Sequence, residues 1–206
     1  ISPLRQMEVG ILGLGNILEL ARNRRFKTIF CSSGAVYGWR RSGLSPPPLR
    51  EDAVNYSPGS LSIYDSVKFA SERLAAEYRD RFDVDVTALR FSATFGLGKS
   101  MEIHGPQSLI NSAIEDVLAG RDVIWRGVSQ RNDFVYYGDI AGAFLKMSEK
   151  HGPSRHPVYN IGGGKARSLR AYGKAIQEQV PGGTRLIMED GGDYLETGGF
   201  GYVQLD

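Results

Sequence analysis

Two short runs rich in β-branched and aromatic residues, FKTIFC at 26–31 and DVDVTALRF at 83–91, stand on either side of a long amphipathic helical pattern. Strands joined through a helix-length crossover run parallel, because only a connection of that length returns the chain to the same end of the sheet. The alternation continues downstream: a helical pattern at 107–119, short strands at 122–127 and 133–137, a helix from about 140, and a strand at 157–164 running into a glycine turn. A further helix runs from Ser168 to about Val180, and a last strand covers 184–190. Strands alternating with helices predict an α/β fold, a parallel sheet covered on both faces.

Composition narrows the function classes. With 41% hydrophobic residues in 206, the chain can build a core. A net charge of +2, without a long basic run, argues against a nucleic-acid binder. Cys31 is the single cysteine, so neither an intramolecular disulfide nor a cysteine-based zinc site is expected, and His104, His151 and His156 are not spaced as metal ligands. No apolar run approaches the ~18 residues of a membrane span. No basic-then-apolar segment opens the chain, so the expected compartment is the cytoplasm. The opening Ile1-Ser2-Pro3 lacks an initiating methionine, so the expectation is that the numbering begins partway through a longer product.

Other local signals fill in the organisation. Residues 7–23 carry helical apolar spacing. The stretch 42–60, with Pro46, Pro47 and Pro48, reads as a surface loop, and 61–82 reads as a long helix. Asp139 is expected to cap the helix that follows it, and Ser168 the next. Elements become shorter and more mixed after residue 96, which suggests a boundary there between 1–96 and 97–206. GILGLG at 10–15 superficially resembles a dinucleotide fingerprint, but Gly10, Gly13 and Gly15 fall inside a helical pattern rather than after a strand. They are expected to allow close helix–sheet packing.

The candidate chemistry lies in SIYDSVKFASERL, 62–74. Tyr64 and Lys68 are four apart and share a helix face. A phenol ionises near pH ~10, and a neighbouring ammonium favours its phenolate, so such a pair can move a proton near neutrality. Upstream, FKTIFC delivers Ser32 and Ser33 to the carboxyl end of a strand, where open α/β sheets place their ligands. A solvated Tyr–Lys pair and a turn of small residues are the bland alternatives.

Taken together, these segments resemble the extended short-chain dehydrogenase/reductases, specifically the NAD-dependent epimerase/dehydratase group. CSSGAVYG is similar to the family's serine-strand motif, YDSVKFASERL to its YxxxK helix, and LRFSATFGLG to LRYFNVYGPG. NDFVYYGDIAGAFL is similar to RDFVYVDDVAxA, and VYNIGGGKARSL to YNIGSGxxxSL; the segments fall in the family's order. The resemblance implies a Rossmann-like doubly wound parallel sheet, here its C-terminal part, with a small α+β substrate-binding region. It implies NAD as cofactor, with NADP open, a sugar-like small-molecule substrate and a homodimer. The catalytic residues would be Ser33, Tyr64 and Lys68. Ser32, Tyr64, Lys68, Phe91, Ser92 and Ala93 would bind the cofactor, and Ser33, Gly34, Ala93, Thr94, Arg131 and Asn132 the substrate. The dimer would form through 7–23 and 61–82, with Leu74 and Tyr78 on its exposed face. The implied activity is sugar or nucleotide-sugar epimerisation or oxidoreduction by hydride transfer. The alternatives are a dehydrogenase or reductase of a non-nucleotide sugar or sugar acid, and a non-catalytic, degenerate or truncated member.

The match also breaks at identifiable places. The dehydratases' Asp-Glu pair falls on Gly34 and Ala35, which disfavours dehydration. The family's Asn in NVxGT falls on Gly10, the Asn of LRYFN on Ala93, and the Arg of RDF on Asn132. The last two types hold a nucleotide sugar's diphosphate. Each lost charge-assisted hydrogen bond costs ~1.5–3 kcal/mol, unless Arg131 or Arg126 compensates. The GxxGxxG loop is not found either, so the expectation is that upstream residues were omitted or that the truncated chain is inactive.

Overall fold

The structure, a computed structural model, describes residues 2–37, 48–53, 62–96, 108–180 and 185–191. Most of the proline-rich loop (38–47 and 54–61), the stretch 97–107 and residue 184 lie outside them.

Helix α1 (Pro3–Met7) passes through a π-helical turn, Glu8–Leu12, into α2 (Gly13–Arg24). Strand β1 (Thr28–Cys31) follows, then a tight turn at Gly34–Tyr37. The long helix α3 (Ile63–Phe82) leads to β2 (Val86–Phe91) and β3 (Ala93–Phe95). Beyond it come α4 (Leu109–Leu118), β4 (Val123–Trp125), β5 (Arg131–Asn132), β6 (Phe134–Tyr136) and α5 (Tyr137–Glu149). The described chain ends with β7 (Val158–Ile161), β8 (Arg167–Ser168), α6 (Leu169–Gln179) and β9 (Leu186–Met188).

The main sheet is parallel with order β1-β2-β7, which is the α/β arrangement that the strand–helix alternation predicts. Small pairs β3–β6, β4–β9 and β5–β8 build the second region. Among the described residues two larger cores sit on either side of residue 96, and a small cluster of Val36, Tyr37 and Leu49 lies at the tight turn after β1. One larger core gathers Leu18, Ala21, Ala75, Val84 and Val86; the other centres on Ile110, Trp125, Phe134 and Leu169. Elements cross that position in both directions, however: β7 joins β2, and β3 pairs with β6.

Two expectations are corrected by packing. Gly10 faces another helix, not the sheet: a Cβ there would lie 2.2 Å from Cγ1 of Val67 on α3. The Gly10 carbonyl, in the π-helical turn, accepts a hydrogen bond from Ser71 at 2.9 Å. Leu74 and Tyr78 do not form an outer face. Both pack into the α2–α3 core, and the Tyr78 hydroxyl donates to Glu19 at 2.6 Å. The exposed apolar residues of the first helices are instead Leu4, Met7, Val9, Leu12, Ile17 and Leu20.

A third correction concerns α5. It begins at Tyr137, with Tyr136 as a cap that makes no side-chain bond, so Asp139 lies in the first turn rather than at the cap. Its charge there still favours the positive end of the helix dipole.

Candidate active site

Because the main sheet is parallel, β1, β2 and β7 all end at one edge. Cys31, Phe91 and Ile161 close the strands there, and Ser32–Ser33, Ser92–Ala93 and the glycine turn after Ile161 follow them. Open α/β sheets bind their ligands at this edge.

Helix α3 starts beside it with a two-way cap. The Ser62 hydroxyl accepts from the Asp65 amide at 3.2 Å, and the Asp65 carboxylate accepts from the Ser62 amide at 3.0 Å. This capping box satisfies the first free amides and fixes where the helix begins. It thereby places Tyr64 in the first turn and Lys68 one turn on.

The Lys68 ammonium donates to the Cys31 carbonyl at 2.7 Å, tying α3 to the end of β1. It also lies 5.6 Å from the centroid of the Tyr64 ring, within cation–π reach. Burial pushes the Lys68 pKa below the ordinary lysine value, opposed by the charges of Cys31 and Glu72. Tyr64 itself is 41% exposed, which leaves it open to a ligand.

The two serines part company. Ser33 is half-buried, and its hydroxyl accepts from the Ala35 amide at 3.2 Å. Ser32 is fully buried and its hydroxyl donates to the Glu72 carboxylate. Ser32 therefore lies under the edge rather than on it. Gly34 is buried in the turn that follows.

On the neighbouring strand ends, Phe91 closes β2, while Ala93 and Thr94 are half-buried in β3 beside Phe134 and Val135. Ser92 is buried, and its hydroxyl oxygen has no hydrogen-bond partner among the described residues. A buried hydroxyl without a partner is costly, and a polar ligand group at this edge would satisfy it.

Arg131 and Asn132 form β5, paired with β8. The Arg131 guanidinium donates to the Ala166 carbonyl at 2.6 Å, and Asn132 is buried, its carbonyl accepting from Tyr172 at 3.3 Å. Arg126 pairs with Glu189 at 3.1 Å on the surface. Both arginines suggested as compensating anchors thus have protein partners.

Beneath the edge is a buried polar network that the motif reading does not include. Arg90 donates to the Glu72 carboxylate at 2.6 and 2.9 Å, the two side chains being 3% and 6% exposed. It also donates at 2.8 Å to the Tyr37 hydroxyl, which donates onward to Asn160 at 2.8 Å. Two signals for this exist in the sequence. Glu72 extends the Tyr64–Lys68 spacing by one more turn, and Arg90 is the one charged residue of the run VTALRF at 86–91. A cavity of about 410 Å³ opens onto this network: Glu72 and Arg90 themselves line it, with Phe69, Ala76, Val86 and Val158. Neither Ser33, Tyr64 nor Lys68 lines it, so it is separate from the candidate site. Among the described residues no group of acids, histidines and cysteine could hold a metal ion, and no helix is long and apolar enough to cross a membrane.

Residues 1–162 match the profile of the NAD dependent epimerase/dehydratase family. UDP-glucuronate 4-epimerase 1 of Arabidopsis thaliana is 29% identical over 83% of this chain and 38% of its own length. Among solved structures, the UDP-N-acetylglucosamine 4-epimerase from Methanobrevibacter ruminantium, in complex with UDP-N-acetylmuramic acid, superposes with a TM-score of 0.79 at 24% identity. That match covers 100% of this chain and 62% of the other. The Thermus thermophilus UDP-glucose 4-epimerase complex with NAD gives 0.67 at 24% identity, covering 97% and 61%. The chain spans about half the length of the curated relatives it matches.

Proposed function

The chain belongs to the NAD dependent epimerase/dehydratase family, and on that premise we propose that the whole protein is an NAD-using sugar or nucleotide-sugar epimerase or oxidoreductase acting through Ser33, Tyr64 and Lys68. The observation that carries this reading is the Lys68 ammonium, held by the Cys31 carbonyl at the ligand edge with the Tyr64 ring beside it. The unsatisfied Ser92 hydroxyl at the same edge fits a polar ligand such as the cofactor.

NAD, when bound, supplies hydride transfer to and from a carbinol carbon. This chain's residues then have distinct tasks. Tyr64 takes the proton from the substrate hydroxyl and returns it. Ser33 donates a hydrogen bond to the same oxygen. Lys68 keeps a positive charge beside the phenol and offers its remaining donors to the cofactor's ribose hydroxyls. Ser92 and the backbone at Phe91 and Ala93 line the cofactor side, while Gly34 and Thr94 lie toward the substrate. The turn after Ser33 carries no acid, Gly34 and Ala35 both being buried, so expulsion of water is not among the reactions this site favours.

The test is a panel of nucleotide sugars, free sugars and uronic acids given to the full-length protein with NAD. Conversion of one sugar to its epimer without net absorbance change at the nicotinamide band supports epimerisation. A lasting absorbance change marks a dehydrogenase or reductase using the same residues. No turnover of any member with NAD or NADP defeats the catalytic reading.

We also assign the protein a homodimer, because Leu4, Val9, Leu12, Ile17 and Leu20 leave the first helices apolar and exposed. Sedimentation of the full-length protein is expected to give twice the monomer mass; a monomer at micromolar concentration would refute the assignment.

A further inference from the structure

The buried network lies directly behind the two elements that bear the reacting groups, and the way it joins them suggests a role. Tyr64, Lys68 and Glu72 are spaced four apart on α3 and so form one stripe along it. Lys68 reaches the Cys31 carbonyl, and Glu72, one turn deeper, accepts from Ser32. The last residue of β1 and the first of the serine turn are thereby bound to two successive turns of the helix.

The far end of the same turn is held too. Tyr37, 3% exposed, accepts from Arg90 and donates to Asn160 on β7, and the guanidinium lies 4.8 Å from its ring centroid. Asn160 in turn donates to the Leu49 carbonyl at 2.6 Å and, through its amide, to the Glu51 carboxylate at 2.9 Å. Arg90 grips both oxygens of Glu72 as a planar fork, which fixes the carboxylate's orientation as well as its charge.

A buried ion pair adds little net stability over apolar residues of the same volume. Stability alone therefore does not account for a charge pair shared among α3, β2, β7 and the serine turn. We propose that Glu72 and Arg90, with Ser32 and Tyr37 as their contacts, are positioning residues that hold the Ser33 hydroxyl at a fixed place relative to Tyr64. This rests on the reading of Ser33 and Tyr64 as reacting groups. None of these four residues is assigned a contact with substrate; they act through the turn they pin.

The gentlest variants, Ser32→Ala and Tyr37→Phe, each remove one hydroxyl and leave the ion pair in place. In the full-length protein, amide hydrogen exchange at Ala35 and Val36 is expected to quicken by about tenfold or more. The kcat is expected to fall by about 10- to 100-fold with KM nearly unchanged, because misplacing a reacting group costs rate rather than binding. The thermal midpoint should stay within about 4 °C of the parent. Tyr64→Phe, by contrast, should lower kcat by about 10²-fold or more without altering exchange in the turn.

An exchange rate or a kcat within about twofold of the parent in both variants would overturn the proposal, as would a rise in KM at constant kcat. Parent protein inactive on every sugar would overturn the catalytic reading and this inference with it. The exchange difference, measured in the same samples without substrate, would then mark a purely structural clamp.

Discussion

Tyr64→Phe is expected to lower kcat of the full-length protein by between about 10²- and 10⁴-fold, the range over which a positioned proton donor or acceptor contributes. Substrate KM and NAD affinity should change little, because the ring remains and only the hydroxyl is lost. Stability should stay within about 0.5 kcal/mol, since Tyr64 is 41% exposed and belongs to none of the core clusters. Steady-state kinetics alongside calorimetric NAD binding separates the possibilities. A dead variant that binds NAD normally assigns the phenol to the chemical step. A variant that keeps a tenth or more of the parent's kcat would leave the Lys68–Tyr64 contact as an ordinary surface pair. Lys68→Met should behave differently: it removes the hydrogen bond to the Cys31 carbonyl and so should weaken cofactor binding as well as rate.

The parts of this site that could be read from sequence are those set by short-range rules. The four-residue spacing of Tyr64 and Lys68 predicts a shared helix face, and the ammonium does lie over the ring side. Ser168 caps α6 as expected, its hydroxyl accepting from the Ala171 amide. Where the rule is longer in range, the sequence is ambiguous. In extended backbone successive side chains point to opposite faces, so adjacent serines cannot both reach the edge, and nothing in SSG says that Ser32 is the buried one. Asp83 falls within the apparent strand 83–91, yet it adopts a left-handed φ of 54° as the C-cap of α3, and β2 begins only at Val86. A glycine would have signalled that cap; an aspartate does not. Leu74 and Tyr78 show the same limit, for a helical apolar stripe does not say whether its partner is α2 or a second chain. Glu72 and Arg90 can each be singled out in the sequence, but their pairing cannot: the register of α3 against β2 brings the two together, and spacing along the chain does not encode it.

Arg90→Met is the substitution with the largest expected effect on stability. Its guanidinium, 3% exposed, is the ion-pair partner of Glu72 and also donates to Tyr37 and the Glu51 carbonyl. Removing it leaves the Glu72 carboxylate buried with Ser32 as its remaining described donor. An uncompensated buried charge costs about 3–5 kcal/mol, a large share of the roughly 5–15 kcal/mol that holds a typical domain folded. Urea unfolding of the full-length protein should show that loss as a lower midpoint at unchanged slope. Glu72→Leu combined with Arg90→Met removes both charges together. That double variant should recover most of the loss, because apolar groups of similar volume replace a buried pair at little net cost. If the pair also positions the serine turn, the recovered protein should fold well and still turn over slowly, since two apolar side chains would grip neither Ser32 nor Tyr37. A double variant as unstable as Arg90→Met would show instead that shape, not charge, dominates at this site. One with parental stability and parental kcat would remove any role for the network beyond filling the core.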